Sequence, residues 1–180
     1  SEIVVLVAIS TLGFMPALFV CICKFVVSIL FKGPVGPMAI GQIAALIASL
    51  SICMTYSLLA KKIDPEKNLK NYFLDMVLTM FVFAFIMFVI NYFFVTPTYL
   101  MQKPTWYTHL PFAIDIQSFN QQYGSNITIP AFLSFLSPYG QAIFIIYFPF
   151  NFIKGIITGI VYYLVRPVER RFKNKYIQEA

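Results

Sequence analysis

Charged residues are scarce in this chain of 180 residues, because Asp, Glu, Lys and Arg together make up 11% of it. Soluble domains carry about 25% charged residues, spread over their surfaces. Hydrophobic residues make up 59% of the chain, and the mean hydropathy is +0.79. This composition excludes an ordinary soluble domain and indicates an integral membrane protein embedded in a lipid bilayer. The net charge of +6 is concentrated in connecting segments, so it reports membrane topology and indicates no nucleic-acid partner.

Residues suited to catalysis or metal binding are also few. The single histidine, His109, lies in a connecting segment, and Cys21, Cys23 and Cys53 lie in apolar runs, where thiols behave as small hydrophobes. The sequence contains no metal-ligand spacing, no nucleophile beside a base, no phosphate loop and no paired acids within its apolar runs. We therefore expect no metal, no cofactor and no disulfide framework, and a small membrane enzyme is a poor match.

Long apolar runs are what the chain does contain, and they predict five helices. Crossing a bilayer takes roughly 20 apolar residues. Gly13 and Pro16 break the first run, since proline removes a backbone donor and clashes with the preceding turn. The segment 33–37, rich in Gly and Pro, is a tight loop. The predicted helices are 2–13, 16–32, 38–60, 71–95 and 142–165.

The basic residues set the predicted orientation. Four lysines lie in 61–70 and five Lys or Arg residues in 166–180, so both segments are predicted to be cytoplasmic. The sequence then forms a single transmembrane helical domain, 1–165, followed by the basic cytoplasmic tail 166–180. Parity places the connection 96–135 outside, as a long external loop. Loops of this length are often binding loops, and the two aromatic residues at 106 and 107 suit a membrane interface or a ligand equally.

The same count places residue 1 outside, which is unusual for a chain without a signal sequence. Either the first apolar run is a single tilted helix, or a further N-terminal helix is missing from this sequence.

Polar residues inside the apolar runs are the candidate binding residues. Lys154 lies deep in the last run, where a cation costs about 2.5 to 3.5 kcal/mol, so it requires a protein interior, a wet cavity or a polar ligand. Alternatively, Lys154 extends to the interface or pairs with a carboxylate on another helix. Asn151 lies one turn earlier on the same helix face, although asparagine also joins helices. Together they suit a polar, uncharged or anionic small molecule.

Four other polar residues have two interpretations each. Lys24 either extends outward or faces the same cavity as Lys154, and Gln42 faces either the loop before it or a cavity. Asn91 lies at the mouth of any pocket open to the outside, or caps its helix. Asp75 is expected to be solvated or paired with a cation of the tail. Glu2 is expected to favour the dipole of the first helix.

The chain resembles the substrate-binding S-components of energy-coupling-factor (ECF) vitamin transporters in the segment Pro149-Phe150-Asn151-Phe152-Ile153-Lys154-Gly155. These S-components are partners of ABC-type ATPases. The riboflavin-binding branch is the closest match. Asn91-Tyr92 followed by Thr96-Pro97-Thr98-Tyr99 is similar to that branch's Asn-Tyr and Pro-x-Tyr, and Gly41-Gln42-Ile43-Ala44 resembles the start of its fourth helix. Lys24 falls where the branch often carries a basic residue.

The resemblance implies an all-α six-helix bundle, of which five helices are visible and the first is missing. It further implies high-affinity binding and uptake of riboflavin across a bacterial plasma membrane. Riboflavin is then the transported ligand, and a membrane coupling (T) subunit and two cytoplasmic ATPase subunits are the partners. Alternatives are an S-component for pantothenate, a pyridoxine-type compound or thiamine, and a non-transporting scaffold subunit. The ligand-binding residues implied are Asn91, Asn151, Lys154, Lys24, Tyr99 and Gln42.

Overall fold

The computed structural model describes residues 2–36, 39–101, 126 and 128–178, and these residues form helices and connecting turns. A π-helical turn, Asn91–Val95, continues α4 directly into α5, and a 3-10 turn, Ala131–Leu133, precedes the last helix. The all-α fold predicted from the apolar runs is therefore confirmed. The helices are α1 (Glu2–Leu12), α2 (Phe14–Lys32), α3 (Ile40–Ile63), α4 (Leu69–Ile90), α5 (Thr96–Met101) and α6 (Pro138–Gln178).

Four stretches are long and apolar enough to cross a membrane. They are Phe14–Lys32, Ile40–Ile63, Leu69–Thr98 and Pro138–Glu169, whereas α1 is apolar but shorter. α6 begins four residues before the predicted start at 142 and continues as one helix to Gln178. The side chains at 106 and 107 lie outside the described residues.

The predicted break in the first apolar run is confirmed at Gly13. Gly13 has a φ of 89°, a conformation that glycine adopts without steric cost. Pro16 then falls in the first turn of α2, where its missing N–H disrupts no helical hydrogen bond. α1 and α2 are therefore separate helices that meet at a sharp joint.

The fourth helical span ends later than predicted because of the π turn. There the N–H of Thr96 bonds to the carbonyl of Asn91, one residue farther back than in an α-helix. The chain stays helical through this turn, and Pro97 falls in the first turn of α5, where its missing N–H is tolerated. The expected stop at Pro97 therefore moves to Met101.

The core forms where α4 packs between α3 and α6, with α1 closing the side against α2, α3 and α6. α4 and α6 run antiparallel, as the aromatic contacts along their seam show. The ring centroids of Tyr92 and Tyr139 are 4.9 Å apart, and those of Phe88 and Phe144 are 5.4 Å apart.

Asp75, expected from the sequence to be solvated or paired with a cation of the tail, lies inside the bundle. It is fully buried on α4, and within the described part of the chain neither of its oxygens has a hydrogen-bond partner. Arg166 interacts with it electrostatically, while the Arg166 guanidinium lies 4.9 Å from the ring centroid of Tyr72 and donates to the Pro65 carbonyl at 2.8 Å. Of the two expectations for Asp75, the solvated one is therefore wrong, because α4 turns this residue into the bundle, and the interaction with a cation of the predicted tail, Arg166, is the one observed.

Candidate ligand-binding site

Three charged side chains from three helices meet inside the bundle. The Nζ atom of Lys154, on α6, lies 3.3 Å from Oε1 of Glu2, the first residue of α1. The Nζ atom of Lys24, on α2, lies 3.8 Å from the same oxygen. Two ammonium groups therefore share one buried carboxylate, and we call these three residues the charge cluster.

α3 holds Lys24 from the opposite side. Its Nζ donates to the Ser49 hydroxyl at 2.6 Å, and that hydroxyl donates to the Ala45 carbonyl at 2.9 Å. Lys24 lies ten residues after Phe14 and eight before Lys32, so it sits near the middle of α2. Of its two predicted placements, the inward one is observed, and the charge cluster lies near the middle of the membrane spans.

Lys154 is the most accessible member of the charge cluster. Its side chain is 45% exposed, compared with 22% for Lys24 and 9% for Glu2. Pairing with a carboxylate on another helix, one of the two interpretations of Lys154, is the arrangement observed. An ammonium group has three N–H donors, and within the described residues only Glu2 accepts from Lys154.

Asn151 lies one turn before Lys154 and is buried, with 6% of its surface exposed. Its Nδ2 donates to the Tyr147 carbonyl of its own helix at 2.8 Å. This bond fixes the orientation of the amide, whose oxygen remains able to accept a hydrogen bond. Asn151 and Lys154 therefore offer an acceptor and a donor on adjacent turns.

Asn91 is buried at the start of the π turn, and its Nδ2 donates to the Met87 carbonyl at 2.6 Å. The ring pairs between α4 and α6 place it opposite residues 140–141 in the first turns of α6, ten to eleven residues before Asn151. At a rise of 1.5 Å per residue, this corresponds to about 15 to 17 Å along the helix axis. The structure therefore separates Asn91 from Asn151 and Lys154.

Gln42 faces the loop before α3. Its Nε2 donates to the Gly33 carbonyl at 2.5 Å, and its Oε1 accepts from the Val35 N–H at 2.9 Å. It also lines, with Lys24 and Ser49, a cavity of about 340 Å³ between α2 and α3. The side chain of Tyr99 lies outside the described residues, so its predicted ligand contact stays a prediction.

Comparison with known proteins assigns the chain to a family. The family model described as "ECF transporter, substrate-specific component" matches residues 1–166. The chain is an ECF S-component. The riboflavin transporter FmnP of Bacillus subtilis (strain 168) is 24% identical to this S-component over 165 residues, which cover 92% of this chain and 72% of that protein. No solved structure matched significantly.

Membership of this family makes the chain a multi-pass membrane subunit that binds a transported substrate, rather than an enzyme. The charge cluster and its Ser49 contact include two residues that the sequence analysis did not select for the site of this S-component. There, Glu2 is assigned only to the dipole of the first helix, and Ser49 is given no role at the site. The available signal was charge balance, because two lysines within apolar runs require an anion and Glu2 is the carboxylate that begins the first run.

Proposed function

We propose that this S-component captures riboflavin from outside the cell, and that a T subunit and two cytoplasmic ATPases power its delivery. The observation that carries the proposal is the partly exposed Lys154, which shares its counter-ion, Glu2, with Lys24. The distant relationship to a protein named as a riboflavin transporter supports the choice of vitamin. High-affinity uptake of one vitamin is then the function of this site.

The chemistry of riboflavin fits the residues on α4 and α6. Its flat ring system has an imide edge with carbonyl acceptors and an N–H donor, which match the Lys154 ammonium and the Asn151 amide. Its ribityl chain carries hydroxyl groups, which an amide such as Asn91 can bind. The separation of about 15 to 17 Å between these polar levels suits an elongated ligand with two polar ends. Between them, Phe88 and Phe144 offer flat apolar surfaces for the rings.

A riboflavin titration of the purified protein tests the proposal, with quenching of flavin fluorescence as the readout. We expect tight one-to-one binding that is lost in Lys154→Ala and strongly weakened in Asn151→Ala. Ile153→Ala is the matched control, because Ile153 neighbours Lys154 on α6 at the same depth but is 57% exposed on the apolar surface. Its affinity should equal that of the unmodified protein.

Absence of riboflavin binding by folded protein would overturn the choice of vitamin. Binding that survives Lys154→Ala would overturn the site while leaving the vitamin in place. These two outcomes are distinguishable, because the first concerns the unmodified protein and the second concerns only the variant.

Pantothenate is the second candidate ligand, and one observation favours it. The charge cluster has two ammonium groups and one carboxylate, and its excess positive charge suits a ligand that bears a carboxylate. Competition with riboflavin in the same titration separates the two, since pantothenate displaces the flavin only if it occupies the same site. Thiamine, which is cationic, should not compete.

A further inference from the structure

We propose that Tyr139 is a positioning residue for ligand capture, which holds the π turn of residues 91–95 and thereby fixes the orientation of the Asn91 amide. This inference rests on the proposed function, because Asn91 is taken there as a residue that touches the ligand. Tyr139 itself contacts the backbone of the π turn and acts through it.

The Tyr92 carbonyl, inside the π turn, requires a donor that its own helix does not supply. In an α-helix this carbonyl would accept from the N–H of Thr96, and in a continuing π-helix from the N–H of residue 97. The Thr96 N–H bonds instead to the Asn91 carbonyl, and Pro97 has no N–H. Lipid offers no donor, so backbone groups within a bilayer are satisfied by other protein groups. The donor for Tyr92 is therefore expected from a neighbouring side chain.

Tyr139, in the first turn of α6, supplies this donor. Its hydroxyl donates to the Tyr92 carbonyl at 3.0 Å, and Tyr139 is only 3% exposed, so the bond is shielded from water. The two rings pack edge to face with their centroids 4.9 Å apart. A Cβ atom at Gly140 would lie 3.3 Å from the Tyr92 ring, which shows how closely the start of α6 approaches the π turn. One hydroxyl on α6 therefore completes the backbone pairing of the turn.

The bond from Tyr139 affects Asn91 because Asn91 is the first residue of the same turn. The Asn91 backbone N–H is shared between two carbonyls of α4, and its side-chain Nδ2 donates to one of them, that of Met87. Without the Tyr139 hydroxyl, the Tyr92 carbonyl obtains a backbone donor only if the Thr96 N–H turns to it. That exchange tightens the π turn into an α-helix and rotates the chain beyond it by about 100°. The backbone that orients the Asn91 amide then changes.

Removal of the Tyr139 hydroxyl is the first part of the test, with riboflavin titration as the readout. Tyr139→Phe keeps the ring that packs on Tyr92. We expect it to weaken binding by about 10-fold or more, because a buried carbonyl loses its donor and the turn rearranges. Tyr163→Phe is the matched control, since it makes the same change on the same helix at a side chain that is 39% exposed. It should bind riboflavin as the unmodified protein does.

Pro97→Ala is the second part, because it provides a rescue that follows only from the proposed link. It returns an N–H to residue 97, so the turn can satisfy the Tyr92 carbonyl from its own backbone. In the Pro97→Ala background, Tyr139→Phe should therefore cost little. We expect this rescue both in riboflavin affinity and in the midpoint of thermal unfolding of the ligand-free protein in detergent.

Two results would overturn the inference. Unchanged riboflavin affinity in Tyr139→Phe, with or without a lower unfolding midpoint, would show that Tyr139 positions no ligand-binding residue. Equal losses from Tyr139→Phe with and without Pro97→Ala would show that the hydroxyl does not replace the donor that proline lacks. If the unmodified protein fails to bind riboflavin, the proposed function fails, while ligand-free unfolding of the two single variants and the double variant still tests the coupling of Tyr139 to Pro97.

Discussion

Gln42 uses both halves of its amide to close the loop between α2 and α3. It donates to the Gly33 carbonyl and accepts from the Val35 N–H, and 3% of its surface is exposed. Gly33 has a φ of 67° and ends α2, so the chain reverses direction at this point. A buried amide that satisfies two backbone groups of a turn stabilises that turn, because unpaired backbone groups are costly within an apolar surrounding.

Replacing Gln42 by leucine should therefore destabilise the protein in the absence of ligand. Two backbone groups lose their partners, and we expect the free energy of unfolding to fall by about 1–3 kcal/mol. The measurement is thermal unfolding of the ligand-free protein in detergent. Gln42→Glu keeps the acceptor and loses the donor, so its free energy of unfolding should lie between that of Gln42→Leu and that of the unmodified protein. Normal ligand-free stability combined with lost riboflavin affinity would instead favour a direct ligand contact by Gln42.

At the scale of elements, α4 and α6 approach each other closely at Gly155. A Cβ atom at this position would lie 2.8 Å from the Met80 sulfur and 2.9 Å from the Met80 Cβ. One turn later, a Cβ at Gly159 would meet Met76 at 3.5 Å or more, which is ordinary contact. A methyl group at Gly155 would therefore require α4 to move, whereas a methyl group at Gly159 would not.

We expect Gly155→Ala to push α4 and α6 apart and to cost about 1–3 kcal/mol, because the Met80 Cβ cannot rotate away. Gly159→Ala is the matched control and should be close to neutral. The comparison is made by the thermal unfolding of both variants in detergent. Met80→Ala should rescue Gly155→Ala only in part, since it removes the sulfur and Cγ atoms but keeps the Cβ that the new methyl group meets at 2.9 Å. Equal destabilisation by the two glycine variants would contradict the asymmetry of the seam.

The sequence predicts the existence and type of these elements well, for identifiable reasons. An apolar run of bilayer length has one stable solution, a helix, because unpaired backbone groups are not tolerated in lipid. Gly13 breaks the first run because the chain adopts a positive φ there, which glycine tolerates. The path past Pro97 was not predictable, because the π turn that carries the helix to Met101 depends on packing against α6. Local pattern does not report such packing.

At the scale of the whole molecule, the candidate site could be predicted only in part. The cost of a cation in the membrane identified Lys24 and Lys154 as residues that require a partner. The partner could not be identified, since the meeting of Glu2 with both lysines depends on which helices are neighbours. Helical periodicity gives the face of a residue on its own helix and nothing about the helix opposite. For the same reason the sequence leaves Asp75 with two expectations, solvation or pairing with a cation of the tail, and cannot decide between them.

The orientation of the molecule follows from the end that carries the basic residues. Four lysines cluster in the connection from α3 to α4 and its flanks, and Arg166 of α6 bonds to Pro65 in the same connection. Positive charge of this kind is retained on the cytoplasmic side. We therefore predict that this connection and the C-terminal end of α6 are cytoplasmic. The loop between α2 and α3 is then external, on the side from which a vitamin arrives.

Cysteine accessibility tests this orientation in a variant whose three native cysteines are replaced by alanine. Val35→Cys, in the loop between α2 and α3, should react with a membrane-impermeant maleimide in intact cells, since Val35 is 45% exposed. Glu66→Cys, which leaves every lysine in place, should react only after the membrane is permeabilised. The cysteine-free parent is the background control. The reverse labelling pattern would mean that the protein has the opposite orientation in the membrane. The loop between α2 and α3 would then lie in the cytoplasm, and capture of the ligand from outside through this face would be excluded.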